Sequence, residues 1–416
     1  MLEGHVRDVT DAGDAVVETE RGIVMARGGL PAERVRVRVE AARAGVLRGV
    51  VLAVLAASPD RVEPECGLAE RCGGCPLMSL ALDAQRRLKL ERVGRAVASL
   101  AADGVEARLE ELGPPLGYRR RARFAFKSLS GAVVLGYHAH ASKQLIDVAA
   151  CPVLEPALAR ALLALRASLG PALLGSGEIE LSTLEAGQVH VSVRAEAAQP
   201  ASSYRAAEAL ASTDPVVSVA LRVGGGAPAR FGRDARDAAQ TASPLVANDG
   251  FTQVNAVVNA RLRELVFELA GARSARVLEL YAGQGNFTLG LAEHAASLIA
   301  IESNPASAEA CRARLRANHY DHARVIASEV AAARLPERCD VIVLDPPRGG
   351  ANELAQVAVR TRAQTIVYVS CHMTTLGRDL RALHAVGFEV DRVHALDMFP
   401  QTAHVEAVVR MRRIVS

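Results

Sequence analysis

The sequence of 416 residues has no tryptophan, only 3% aromatic residues and a formal net charge of just +3. So small a net charge is by itself a weak argument for a nucleic-acid partner. No apolar run reaches the roughly 18 to 20 residues that a membrane-spanning helix needs, so no bilayer span is expected. The opening stretch MLEGHVRDVTDAGDAVVETE is polar and acidic, unlike a secretory signal, and a cytoplasmic location is expected. In that compartment thiols stay reduced, so the 7 cysteines are read as candidates for metal binding or catalysis before disulfides. Lysine is also scarce beside arginine, a bias that reflects genomic base composition more than function.

The composition that remains, 50% hydrophobic and 23% charged, is that of a soluble globular protein, and the length predicts two to three domains. Residues 1–57 carry short alternating runs (GHVRDV, DAVVET, GIVMARGG, RVRVRVEAA, LRGVVLAVL) between Gly- and Asp-containing turns, which predict a small β-barrel. Residues 58–245 hold three closely spaced cysteines, an amphipathic helix (LDAQRRLKLERVGRAVASL) and a mixture of strands and helices. From 246 to 416 apolar strands (ARVLELY, SLIAIES, CDVIVLD, TIVYVSC) alternate with helices, which predicts a parallel sheet covered on both faces. The last two strands lie too close together for a crossover and must pair antiparallel. The fold class expected is therefore α/β: a Rossmann-like domain of the class I methyltransferase shape at the C-terminus, a small N-terminal β-barrel, and a central α+β domain.

Charge is local rather than global. YRRRARFAFKSLSGAVVLGYHAHASKQ, 118–144, holds Arg119, Arg120, Arg121, Arg123, Lys127 and Lys143 with no acid, interleaved with Phe124 and other aromatics. Cations neutralise phosphates while aromatic faces stack on unpaired bases, so Arg119, Arg120, Arg121, Arg123, Phe124 and Lys127 are candidate RNA contacts. The competing reading is an edge strand with a solvated cationic face and buried aromatics.

Chemistry concentrates in four places. ELYAGQGNF, 279–287, follows a strand and precedes a helix, with Gly283 and Gly285 free to turn tightly against a cofactor. Glu302, ending the next strand, is placed to accept hydrogen bonds from ribose hydroxyls. LDPPRGG puts Asp345 at the end of a further strand, with Arg348 where amine methyltransferases carry an aromatic; this argues for a phosphate or substrate contact instead. Cys371 ends the strand TIVYVS, where its thiolate would be a nucleophile. Carbon-5 of uracil is too weak a nucleophile to take a methyl group directly. Thiolate addition at carbon-6 makes an enolate that activates it, and a base, Glu406, must then remove the carbon-5 proton. Finally Cys66, Cys72, Cys75 and the distant Cys151 can close a four-thiolate site, for zinc or for an iron–sulfur cluster. Cys311 and Cys339 are expected to be inert packing residues.

These motifs, in this order and over nearly the whole chain, resemble the RNA uracil-carbon-5 methyltransferases, in the subgroup that carries a [4Fe-4S] cluster. The resemblance implies an RNA-binding TRAM barrel and cluster ligands Cys66, Cys72, Cys75 and Cys151. It also implies S-adenosylmethionine bound by Gln253 (in FTQVN), Tyr281, Asn286, Glu302 and Asp345, with Glu329 a further contact near the adenine. Cys371 becomes the nucleophile and Glu406 the base; ribosomal RNA is the favoured substrate, transfer RNA the alternative, and the chain is expected to be a monomer. Cytosine carbon-5 methylation and an RNA-binding protein that has lost catalysis are competing readings. The sequence departs from the family at His372 and Met373, where Asn and Pro are usual, and at Ala282, where Cys is common; Gln85 is kept, but the usual Gln-His after the third cluster cysteine is absent. His372 is expected to be a solvated side chain.

Overall fold

The computed structural model describes residues 1–110, 113–129, 132–140, 142–233 and 253–414. Phe251 and Thr252 of the FTQVN motif, and the boundary expected at 245/246, lie outside them. The chain divides into two compact units. The first holds Met1–Arg87, Pro114–Ala238 and Phe399–Ala403; the second holds Leu88–Gly113, Ala239–Met398 and His404–Ser416. Among the described residues no helix is long and apolar enough to cross a membrane.

The first unit begins with β1 (Leu2–Val9), β2 (Ala15–Thr19), β3 (Gly22–Arg27), β4 (Arg34–Arg43) and β5 (Val46–Ala56). They close into a five-stranded barrel in the order β1-β2-β3-β5-β4. Alternation dictates this: Val6, Val17, Val24, Val35 and Val37 face inward and are buried, while their neighbours along each strand face out. In chain order helix α1 (Leu82–Val97), counted with the second unit from Leu88 on, and β6 (Ala107–Glu110), a strand of the second unit, follow. Then come β7 (Arg121–Leu129), β8 (Ala132–His138), β9 (Leu145–Asp147), α2 (Pro156–Ala167), α3 (Leu169–Ala172), β10 (Ser176–Thr183), β11 (Val189–Ala195), α4 (Ala201–Leu210), β12 (Val216–Val223) and β13 (Ala229–Gly232). Seven of these strands form a sheet, β13-β12-β11-β10-β7-β8-β9. Its core joins Phe124, Phe126, Ile179 and Val191 to Leu158, Leu162 and Leu165 of α2. At the other end of the sequence Gln401, at φ +69°, is held in this unit by Gln85, whose amide nitrogen lies 2.9 Å from the Gln401 Oε1 and whose oxygen accepts from the Gln401 backbone N–H at 2.9 Å.

The second unit continues with α5 (Ala256–Ala270), β14 (Arg276–Leu280), α6 (Thr288–His294), β15 (Ser297–Glu302), α7 (Pro305–Ala317), β16 (Ala323–Ala327), β17 (Val341–Leu344), α8 (Leu354–Arg360), β18 (Thr365–Ser370), α9 (Met373–His384), β19 (Phe388–Leu396) and β20 (Glu406–Arg413). An eight-stranded sheet runs β16-β15-β14-β17-β18-β20-β19-β6. Strands β14 to β18 pair in parallel, β20 pairs antiparallel with both β18 and β19, and β6 adds to β19 in parallel from far upstream in the chain. The parallel strands are buried on both faces, as their unbroken apolar runs require. Helices cover them with apolar stripes: Val258, Leu262, Leu265 and Leu269 on α5, and Leu376, Leu380 and Leu383 on α9.

Candidate active site

Strand order reverses at β14, whose neighbours β15 and β17 lie on either side, and the loops leaving the carboxyl ends of such strands line a crevice. Those loops carry Tyr281–Asn286, Glu302, Asp345 and Cys371. β20 runs the other way, and its pairing with β18 sets Ser370 opposite Ala407. Cys371 and Glu406 are the residues next to this pair, Cys371 on the loop leaving β18 and Glu406 at the start of β20.

The electrostatics agree with this geometry. Glu406 is 3% exposed, while Cys371 and Asp345 are partly buried. Burial pushes the Cys371 thiol up to about 11; the negative charges of Glu406 and Asp345 add to the rise, and the Arg348 guanidinium opposes it. Burial also raises Asp345, and burial together with Asp345 raises Glu406 well above the carboxylate range. Cys371 feels both carboxyls and Glu406 feels Asp345, so the three lie near one another. At neutral pH it holds a protonated thiol and carboxyls that resist ionisation.

The loop after Asp345 is fixed by α9. The Thr375 hydroxyl donates to the Arg348 carbonyl at 3.1 Å, and Arg378 to that of Gly349 at 2.9 Å. The buried Asp379 carboxylate accepts from the Ala351 N–H and the Tyr368 hydroxyl, both at 2.7 Å. Gly350 sits at φ +77°, and a Cβ there would come within 2.4 Å of Asp379 Oδ2. The Arg348 guanidinium lies 3.5 Å from His404 Nε2. His372 is not the solvated side chain expected of it. It is partly buried and caps α9, its Nδ1 accepting from the Thr375 N–H at 3.4 Å and lying 3.0 Å from the Thr375 hydroxyl. The reason is position: it is the last extended residue before the helix, where an unpaired N–H needs an acceptor.

The glycine loop is built from strain and hydrogen bonds. Gly283 and Gly285 have φ of +57° and +90°, and Tyr281, a non-glycine, has +59°, with its hydroxyl donating to Glu353 at 2.5 Å. Glu302 accepts from the Gly283 N–H at 2.8 Å and from the Asn304 N–H at 2.7 Å, leaving each oxygen a free lone pair. Asn286 pairs side by side with Asn259 of α5, at 3.0 and 3.1 Å, which ties the loop to that helix. The buried Gln253 Oε1 has no hydrogen-bond partner among the described residues, and neither has Glu279 Oε2. Glu329 is exposed, on the loop after β16. Glu279, Thr375, Asp379 and His404 escaped the sequence reading. A single acid inside the apolar run RVLEL was a usable signal for Glu279; the others sit in ordinary helix and loop composition.

In the first unit Cys66, Cys72, Cys75 and Cys151 line one cavity of about 130 Å³, with Arg119 and Tyr137 in its wall. All four are free thiols. Burial, and the other thiols, push Cys75 up to about 12 and raise Cys72 and Cys151. Among the described residues, however, no group of three or more His, Cys, Asp or Glu side chains is gathered as around a single metal ion. In the basic stretch Arg121 and Arg123 both pair with Glu180, Arg120 faces Glu155, and Lys127 is exposed. Phe124, expected to offer a face to RNA, is instead fully buried, because β7 lies inside the sheet between β10 and β8 and its apolar face packs on α2. Arg119 is turned toward Cys75 and the Tyr118 and Tyr137 rings rather than outward.

The barrel, the two sheets and the thiol–carboxylate crevice are those of an α/β methyltransferase. A solved tRNA (uracil-54, C5)-methyltransferase of Pyrococcus abyssi, in complex with S-adenosyl-L-homocysteine, shares this fold with a TM-score of 0.75 at 23% identity, over 98% of this chain and 100% of that one. The family model described as tRNA (uracil-5-)-methyltransferase matches residues 241–414. The 23S rRNA (uracil(1939)-C(5))-methyltransferase RlmD of Chromohalobacter salexigens is 37% identical, covering 92% of this chain and 83% of its own. Its counterpart of Pseudomonas entomophila is 36% identical, over 92% and 87%. The chain belongs to the RNA uracil-carbon-5 methyltransferase family.

Proposed function

We propose that the chain methylates carbon-5 of a uridine in 23S ribosomal RNA, in the cytoplasm and as a monomer, with S-adenosylmethionine as the methyl donor. The observation that supports the mechanism is the pairing of Ser370 with Ala407 across β18 and β20, next to which Cys371 and Glu406 follow in the chain, together with the pull of Glu406 and Asp345 on the Cys371 thiol. The relatives' ribosomal substrate supports the choice of RNA; transfer RNA is the second reading, favoured by the description of the family model.

In this reading the eight-stranded sheet is the Rossmann-like methyltransferase domain of residues 246–416, the barrel of 1–57 is the RNA-binding module, and 58–245 is the central domain. Arg120, Arg121, Arg123 and Lys127 serve the RNA backbone. The donor fits the second unit: Gln253 has an orphaned buried oxygen, Glu302 keeps lone pairs for ribose hydroxyls, and the backbone at Gly283 and Gly285 carries no side chain to block approach. Tyr281, Glu329 and Asp345 complete its walls, and Asn286 acts by holding the loop. When bound, S-adenosylmethionine supplies an electrophilic methyl group at the crevice.

Cys371 gives up its proton to solvent, aided by the Arg348 charge, and its sulfur bonds to uracil carbon-6 as the C5–C6 π electrons shift toward carbon-5 and the O4 carbonyl. Carbon-5, now enolate-like, would be the atom open to the methyl group of a bound donor, whose sulfonium would leave as the neutral thioether. Glu406 then removes the carbon-5 proton, and the C6–S bond breaks to return the thiolate. The raised proton affinity of Glu406 suits a base that must accept a proton from carbon. The target base must first be unstacked, at a cost of a few kcal/mol.

The four cysteines fit a [4Fe-4S] cluster by donor chemistry, and a cube of iron and sulfur spans a wider gap between thiolates than one tetrahedral ion does. Its role is structural or RNA-positioning, since methyl transfer needs no electron. Incubating the protein with 23S rRNA and labelled donor, then digesting to nucleosides, tests the whole reading. Labelled 5-methyluridine is expected; label in 5-methylcytidine alone, or none, would overturn it.

A further inference from the structure

We infer that His372 is a positioning residue for the nucleophile: its imidazole, through Thr375, locks the Cys371 turn to the loop that carries Arg348. The inference rests on the proposed function. Cys371 lies between two residues tied to each other, for the His372 N–H donates to the Ser370 hydroxyl at 3.1 Å. His372 then ends the extended segment at φ −135°, ψ 100°, and α9 starts at Met373. The direction in which the thiol leaves the backbone is therefore set by where His372 is held.

Contacts with Thr375 help to hold it. The Thr375 N–H donates to the imidazole Nδ1 at 3.4 Å, the capping contact of α9. The Thr375 hydroxyl is 3.0 Å from the same nitrogen and 3.1 Å from the carbonyl oxygen of Arg348. One threonine thus touches the cap of the nucleophile's helix and the backbone of the loop beginning at Asp345. Because Nδ1 is bonded to Cγ, it stands where the Oδ1 of an asparagine cap would stand, and this explains how histidine serves where asparagine is the better-known cap. With Met373 at the first helical position, no proline ring presets the backbone there, so the turn depends more heavily on this side chain.

The test compares His372→Ala and His372→Asn in steady-state methylation of 23S rRNA, together with site-resolved amide exchange at Thr375. His372→Ala is expected to lower kcat about tenfold while KM for RNA stays within about twofold, and to speed Thr375 exchange. His372→Asn, restoring the acceptor, is expected to recover both. Wild-type kcat in His372→Ala, or His372→Asn as slow as His372→Ala, overturns the inference. If the wild-type protein transfers no methyl group to RNA, the proposed function fails, and the exchange rate alone decides the cap: no change in His372→Ala overturns it, and acceleration reversed by asparagine upholds it.

Discussion

A thiol whose proton is held up to about 11 is a poor nucleophile at rest, and Cys371 is such a thiol because it is buried and, to a lesser degree, because Glu406 and Asp345 lie near it. Cys371→Ala is expected to abolish methyl transfer, read by nucleoside digestion of the product RNA. Glu406→Gln should still form the C6–S bond yet fail to release it. A protein–RNA adduct stable to denaturing gel electrophoresis is the expected outcome, with turnover down by about 10² to 10⁴. Glu279 gives a pH prediction for the ligand-free fold. Burial raises it from the usual 4.5 to about 8, so the folded state holds a proton that the unfolded chain has released. Its contribution to stability is full below about 4.5 and is lost as pH climbs through about 8. A melting temperature that falls over this range in the wild type, and falls less in Glu279→Gln, is expected from thermal scans.

At the scale of elements, the crevice is held by how α9 grips the loop after β17. Gly350→Ala forces a Cβ against Asp379 and a strained φ of +77°, and should cost roughly 1 to 3 kcal/mol in urea denaturation. Helix α1 is anchored differently, by the fully buried Lys89, whose ammonium meets Asp397 just beyond β19. Breaking such a pair leaves a charge buried alone, so Lys89→Met should destabilise by about 3 to 5 kcal/mol, and the double variant Lys89→Met/Asp397→Leu should recover much of it. The sequence showed neither grip, because Gly350, Asp379 and Asp397 acquire their partners only when distant segments fold together. The strands themselves were readable: TIVYVS and DVIVL could be little else than buried parallel strands.

Over the whole molecule, charge and thiols divide the labour. If the barrel and β7 bind RNA through phosphates, affinity should fall linearly on a log–log plot as salt rises, measured by filter binding. If the four thiols hold an iron–sulfur cluster, replacing Cys66 with serine should weaken the visible thiolate-to-iron absorbance and lower the melting temperature. Here the order of motifs made the family legible, yet the basic stretch misled at Phe124 and Arg119. Alternation along β7 shows which side chains share a face, not which face is covered, and α2 covers the aromatic one.

What the amino-acid order determined alone was everything of short range or fixed period: the alternating barrel strands, the unbroken strands of the parallel sheet, the glycine turn after β14, and the cysteine at the end of β18. Such features follow from backbone sterics and hydrophobic periodicity within a dozen residues. Tertiary structure decided what needs two remote segments in one place: Glu406 near Cys371, β6 completing a sheet formed mostly by residues 276–413, the thiols of residues 66 and 151 around one cavity, and His372 as a cap. Burial and the proximity of charges set the proton affinities of that site, and neither exists until the chain has folded.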